Sequence, residues 1–158
     1  MTTELAGLAA GASSASDAPL DEPSALERTP YLFVYGTLRR GSGRAESRLL
    51  ERTALYCGGA TFQGRLFRAE HYAAAIPSAD PADRVEGDLY RLPANGELLD
   101  ALDAYEECGP DFPAPTLFCR ARGAVSSHHH GTLEAWVYLY NRDTAILERI
   151  SAGDFLAA

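Results

Sequence analysis

The run Tyr31-Leu32-Phe33-Val34-Tyr35 constrains the fold more than any other stretch, because it is apolar throughout and stops at Gly36. A half-buried strand alternates in polarity, whereas a strand covered on both faces reads as a short continuous apolar run. A doubly buried strand is therefore expected here, and the remaining segments must supply both of its covers. Val85-Glu86-Gly87-Asp88-Leu89-Tyr90 alternates as a half-buried strand does. Leu55 to Phe67 reads as two strand-like pieces broken by Gly58-Gly59 and Gly64. Thr116 to Val125 and Leu133 to Tyr140 predict two more strands, joined as a long hairpin by the polar loop Ser126 to Gly131.

Helical signals are fewer. Arg44 to Arg52 carries Leu49 and Leu50 among polar residues and suggests a short helix. Glu97 to Glu106 is clearer, with Asn95 as a cap and Gly109-Pro110 as its stop. Short strands with a single clear helix predict an α+β domain whose mixed sheet curls toward a small β-barrel with flanking helices.

The chain of 158 residues has room for one domain with a core. Residues 1–29 are rich in Ala, Ser, Asp and Pro without apolar periodicity, so a disordered amino-terminal tail is expected before a domain spanning 30–158. The start Met1-Thr2-Thr3-Glu4 lacks a basic flank and apolar run, which points to the cytoplasm, and no apolar stretch is long enough to span a bilayer. With 22 acidic and 14 basic residues the net charge is -8, which repels phosphate backbones and argues against nucleic acid as a partner. Cys57, Cys108 and Cys119 are odd in number and lack zinc-ligand spacing, so they read as reduced thiols. His128-His129-His130 are adjacent in one loop and cannot all turn toward one ion, so a polar hairpin tip is expected and no metal is called for.

One carboxylate stands apart. At about 100° per residue, Leu98, Leu99, Leu102 and Tyr105 form one apolar stripe, and Glu106 falls about 50° from its centre. Glu97, Asp100, Asp103 and Glu107 fall outside that stripe and read as solvated charges. A carboxylate aimed at a core is paired with a cation or is functional. Arg120 or Arg122 on the next strand could supply the cation, and fraying of the last turn could carry Glu106 outward.

The turn Tyr35-Gly36-Thr37-Leu38 is the second candidate. Successive N–H groups in a turn after a strand form a concavity suited to an anion, and the Thr37 hydroxyl adds a donor. An ordinary tight turn has the same pattern. Arg39-Arg40-Gly41-Ser42-Gly43-Arg44 lacks both the P-loop ending and the dinucleotide fingerprint, and reads as a solvated loop.

These segments together resemble the γ-glutamylcyclotransferase-like family, also called AIG2-like. Val34-Tyr35-Gly36-Thr37-Leu38-Arg39-Arg40-Gly41 is similar to its opening motif, and Leu99-Asp100-Ala101-Leu102-Asp103-Ala104-Tyr105-Glu106 to its helix end. Val85–Tyr90, Ala135-Trp136-Val137-Tyr138 and Ile150-Ser151-Ala152-Gly153-Asp154-Phe155 match the intervening, late and closing segments in order. The resemblance implies a compact barrel with a cavity at one mouth. Tyr35, Gly36, Thr37 and Leu38 would cradle a γ-glutamyl head group, Glu106 would move protons, and Tyr138 would line the pocket.

It further implies a cofactor-independent cyclisation of a γ-glutamyl amine or amino acid to 5-oxoproline, with Arg39 a candidate for the α-carboxylate. A monomer or weak homodimer acting on a small molecule is expected. Three positions depart from the family pattern: Phe118-Cys119-Arg120 in place of Tyr-x-Arg, Tyr72-Ala73 in place of tyrosine-proline, and Glu107 where glycine is common. These departures keep open the alternative of a binding or regulatory module without turnover.

Overall fold

The computed structural model describes residues 29–156, so the expected tail lies, apart from Thr29, outside the described residues. Among these described residues, seven strands and two helices follow in the order β1 (Tyr31–Val34), α1 (Ala45–Thr53), β2 (Leu55–Ala69), β3 (Tyr72–Pro77), β4 (Arg84–Arg91), α2 (Glu97–Tyr105), β5 (Phe118–Ser127), β6 (Gly131–Tyr140) and β7 (Glu148–Arg149). Neighbour to neighbour, the sheet runs β2-β4-β1-β6-β5, and β5 returns to β2 to close a five-stranded barrel. β1 and β6 run parallel; the other pairs are antiparallel. β3 and β7 add to β2 beside the closed ring.

The doubly buried strand is observed. Phe33 and the adjoining Tyr35 point into the barrel with Phe62, Leu66, Val85, Leu89, Val125 and Val137. Leu32 and Val34 point the other way, beneath Leu50 of α1 and Leu98, Leu99 and Leu102 of α2. Both expected helices and the β5–β6 hairpin are present, with His128-His129-His130 as its tip.

Three local expectations are corrected. The two pieces between Leu55 and Phe67 are one strand, because the ladder to β4 absorbs Gly58 (φ 95°) as a register shift between Tyr56 and Gly59. β3 was not expected: Ala73, Ala74 and Ala75 are weak strand formers, and this strand exists through its six-residue ladder with β2. The last correction concerns the stop signal of α2: the helix ends at its expected place, with Glu106 as C-cap, but through its own exit geometry and before Gly109-Pro110 is reached. Cys108 N–H donates to the Asp103 carbonyl at 2.9 Å and Glu107 N–H to the Ala104 carbonyl at 3.2 Å. That pair of bonds is a Schellman ending, which puts Glu107 in the left-handed region at φ 51°.

A side chain in that conformation costs roughly 1 kcal/mol that glycine would not incur. Glu107→Gly should therefore raise the unfolding free energy by about 1 kcal/mol in urea titration. An unchanged or lower midpoint would mean that the Glu107 side chain stabilises the exit by contacts of its own.

Candidate active site

β1 ends against the barrel mouth, and the turn that follows is pinned from three sides. Asp88, buried on β4, accepts the Arg40 N–H at 2.9 Å and the Arg39 Nε at 3.4 Å. Arg39 also reaches Asp154 at 2.9 Å, so its guanidinium is consumed in holding the turn and is not free for a substrate carboxylate. Gly36 packs on β3: a Cβ there would lie 2.8 Å from the Ala73 Cβ, so the position requires glycine through close approach. Within the described residues no acceptor takes the N–H of Gly36, Thr37 or Leu38. The Thr37 hydroxyl lies 2.8 Å from the Tyr105 hydroxyl, which ties the turn to the end of α2.

Tyr35 acts as a rivet. Its hydroxyl donates to the Tyr138 carbonyl on β6 and accepts the Ala75 N–H of β3 at 3.3 Å. Burial, and then the charge of Glu106, push this phenol far above its ordinary range, so it stays protonated. Tyr35 therefore lines the pocket while its hydroxyl is spent on backbone.

Glu106 enters from α2. Its N–H donates to the Leu102 carbonyl at 2.9 Å, so the last turn is formed and does not fray. Its carboxyl faces a small pocket whose wall includes Tyr35, Gly36, Thr37, Leu38, Tyr72, Ala73, Phe118 and Tyr138. Among the described residues no cation and no hydrogen-bond donor meets this carboxylate. Burial alone pushes it up to about 8.

Arg120 is committed elsewhere. Its Nε and Nη2 fork onto Asp103 at 2.8 and 3.1 Å, and its guanidinium lies 4.5 Å above the Trp136 ring. Arg122 also stacks on Trp136, at 5.7 Å. Asp103 is thus no solvated charge: it is half-buried and accepts the Tyr138 hydroxyl at 2.7 Å as well. Burial, and then this bond, push the Tyr138 phenol far above its usual range.

A family profile described as "Gamma-glutamyl cyclotransferase, AIG2-like" matches residues 32–157. The chain belongs to this family. It is 28% identical over 125 residues to the γ-glutamylcyclotransferase family protein YtfP of Escherichia coli (strain K12), covering 79% of this chain and 95% of that one. It is 31% identical over 126 residues to the γ-L-glutamyl-butirosin B γ-glutamyl cyclotransferase of Niallia circulans, covering 77% and 74%. The crystal structure of an AIG2-like protein from Mus musculus shares the fold at a TM-score of 0.61 and 18% identity, over 78% of this chain and 87% of that one.

Within this γ-glutamylcyclotransferase fold, the six residues named from sequence all lie on one pocket. Two departures from the family pattern lie there too. Phe118 gives the wall an edge-on aromatic cluster with Tyr72 and Tyr140, each 5.8 Å from it between ring centres. Ala73 is the residue against which Gly36 packs. Sequence reasoning missed Asp103 and Tyr105. The i, i+3 relation of Asp103 to Glu106 was the available signal, since it stacks the two carboxylates on adjacent turns. Among the described residues no cluster of His, Cys, Asp or Glu could hold a metal ion, and no helix is long and apolar enough to cross a membrane.

The raised Glu106 value sets a stability dependence. The folded state holds this proton more tightly than the unfolded chain, so the associated stability is present below about 4.5 and lost as pH rises through about 8. Glu106→Gln removes the dependence. Its melting temperature should exceed that of the parent above about pH 8 and match or fall below it near pH 5, a difference on the order of a few kcal/mol. Parallel melting curves for the two proteins across this range would show that the carboxyl is hydrated as in water.

Proposed function

We propose that this γ-glutamylcyclotransferase family member cyclises a γ-glutamyl amine or γ-glutamyl amino acid to 5-oxoproline, with Glu106 as general base and acid. The observation that carries the reading is the Glu106 carboxyl, raised to about 8, in the same pocket as the N–H groups of Gly36, Thr37 and Leu38, all of them without a partner among the described residues. A base poised near neutral pH suits proton transfer from an ammonium.

In this mechanism Glu106 takes one proton from the substrate's α-ammonium. The freed amine attacks the γ-carbonyl carbon, a C–N bond forms, and the carbonyl oxygen becomes an oxyanion within reach of the turn's N–H donors. Glu106 returns its proton to the departing nitrogen as the old C–N bond breaks. It then takes the second proton from the ring nitrogen and yields it to the released amine, so two protons in all pass between the two nitrogens. Nucleophile and electrophile share one molecule, and binding the curled conformer removes much of the entropic barrier. No covalent intermediate is required, which fits a pocket without a serine or cysteine on its wall.

A panel of γ-glutamyl amines and γ-glutamyl amino acids, scored for 5-oxoproline release, tests the reading. At least one should turn over, with kcat/KM rising as pH passes about 8. Glu106→Gln should lower kcat by about 10² to 10⁴ while leaving ligand affinity within a few-fold. Binding of these compounds without any release of 5-oxoproline would identify a non-catalytic module instead.

A further inference from the structure

The Arg120–Asp103 ion pair fixes which way the Tyr138 hydroxyl points. Asp103 receives Arg120 Nε on Oδ1 at 2.8 Å and Nη2 on Oδ2 at 3.1 Å, and Oδ1 also contacts the Tyr138 hydroxyl at 2.7 Å. A carboxylate paired with a guanidinium accepts hydrogen bonds and donates none. The proton of Tyr138 must therefore lie on the line to Asp103. What the hydroxyl retains for any other partner is lone-pair density.

Tyr138 and Glu106 line one pocket. A ligand in that pocket that reached the Tyr138 hydroxyl would meet a neutral acceptor, and the ionised Glu106 carboxylate is a second. An ammonium or amine, with several N–H donors, satisfies the hydroxyl and the ionised Glu106 together; a carboxylate satisfies neither of these. The unpaired backbone donors of the same pocket belong to the turn after β1.

We propose that Asp103 is a positioning residue: by holding the Tyr138 proton it turns that tyrosine into an acceptor for the substrate's α-amine, which is then gripped between Tyr138 and Glu106. The assignment rests on the cyclisation reading above, and it explains how the nucleophilic nitrogen is told apart from the α-carboxylate on the neighbouring carbon. Arg120, stacked 4.5 Å from the Trp136 ring, serves as the anchor that keeps Asp103 an acceptor.

A double-mutant cycle on the full chain tests it. Tyr138→Phe and Asp103→Asn should each lower kcat/KM by about tenfold or more, and the double variant should be no worse than Tyr138→Phe within about twofold. Losses that multiply would overturn the proposal, since a purely structural Asp103 acts whether or not Tyr138 has its hydroxyl.

Binding supplies a readout independent of turnover, measured by calorimetry in a Glu106→Gln background. The probes are γ-glutamyl-n-butylamide and glutaric acid mono-n-butylamide, which differ only by the α-amine. The parent background should prefer the amine-bearing probe, and both Tyr138→Phe and Asp103→Asn should erase about tenfold of that preference. An undiminished preference in Tyr138→Phe overturns the proposal, even if Asp103→Asn fails to fold. If the native chain cyclises nothing in the panel, the cyclisation reading falls by itself. The positioning of the amine is then decided by the binding contrast alone.

Discussion

Everything distinctive about this site depends on where Arg120 goes. Two carboxylates, Asp103 and Glu106, sit one turn apart at the end of α2, and one guanidinium on β5 is within reach of that turn. The fork onto Asp103, reinforced by stacking on Trp136, leaves Glu106 with no cation. A buried carboxylate without a partner is held in an environment that favours its proton, which is why burial alone raises Glu106 to about 8. Had Arg120 bridged to Glu106 instead, the charged form would have been stabilised and the group would be a poor proton carrier at neutral pH. The ion pair therefore shapes the reactivity of a residue it does not touch.

The barrel supplies what an unpaired carboxylate cannot supply for itself, namely a fixed position. Glu106 is the C-cap of α2, with its N–H donating to the Leu102 carbonyl, and the Schellman ending directly after it prevents the turn from unwinding. Across the pocket, the Tyr35 hydroxyl ties β1 to the Tyr138 carbonyl of β6 and the Ala75 N–H of β3. Asp88 clamps the turn from β4. Both halves of the site are therefore set on elements whose other sides are packed in the core, and the Thr37–Tyr105 contact joins them. Pocket groups held this way need little reorganisation when a ligand arrives.

What was legible in the sequence was whatever local periodicity encodes. The five-residue apolar run gave a doubly buried strand, and the 3.6-residue stripe of α2 separated Glu106 from Glu107. The same stripe misplaced Asp103, because a helical wheel reports only the angle to the helix's own apolar face. The partners that draw Asp103 inward, Arg120 and Tyr138, come from β5 and β6 and are invisible to it. β3 was hidden for a related reason: its alanines have little strand preference, and pairing with β2 decides their conformation. Arg39 looked like a ligand for a substrate anion until Asp88 and Asp154 were seen to occupy it. Each of these misses is a long-range contact, the part of the fold that residue spacing cannot carry.

An intramolecular cyclisation asks little of the pocket beyond the head group. Under the proposed cyclisation both reacting atoms lie within the γ-glutamyl unit, so the chemical demand falls on Glu106, the turn after β1 and Tyr138. Phe118 is a departure from the family pattern that stands beside these groups. It shares the wall with Glu106, and its two neighbours, Tyr72 and Tyr140, pack edge-on against it. A phenylalanine there lacks the hydroxyl of the family's tyrosine while its ring packs edge-on between two aromatic neighbours. The departure from the family pattern thus makes this stretch of wall apolar, next to a carboxyl that meets no partner among the described residues.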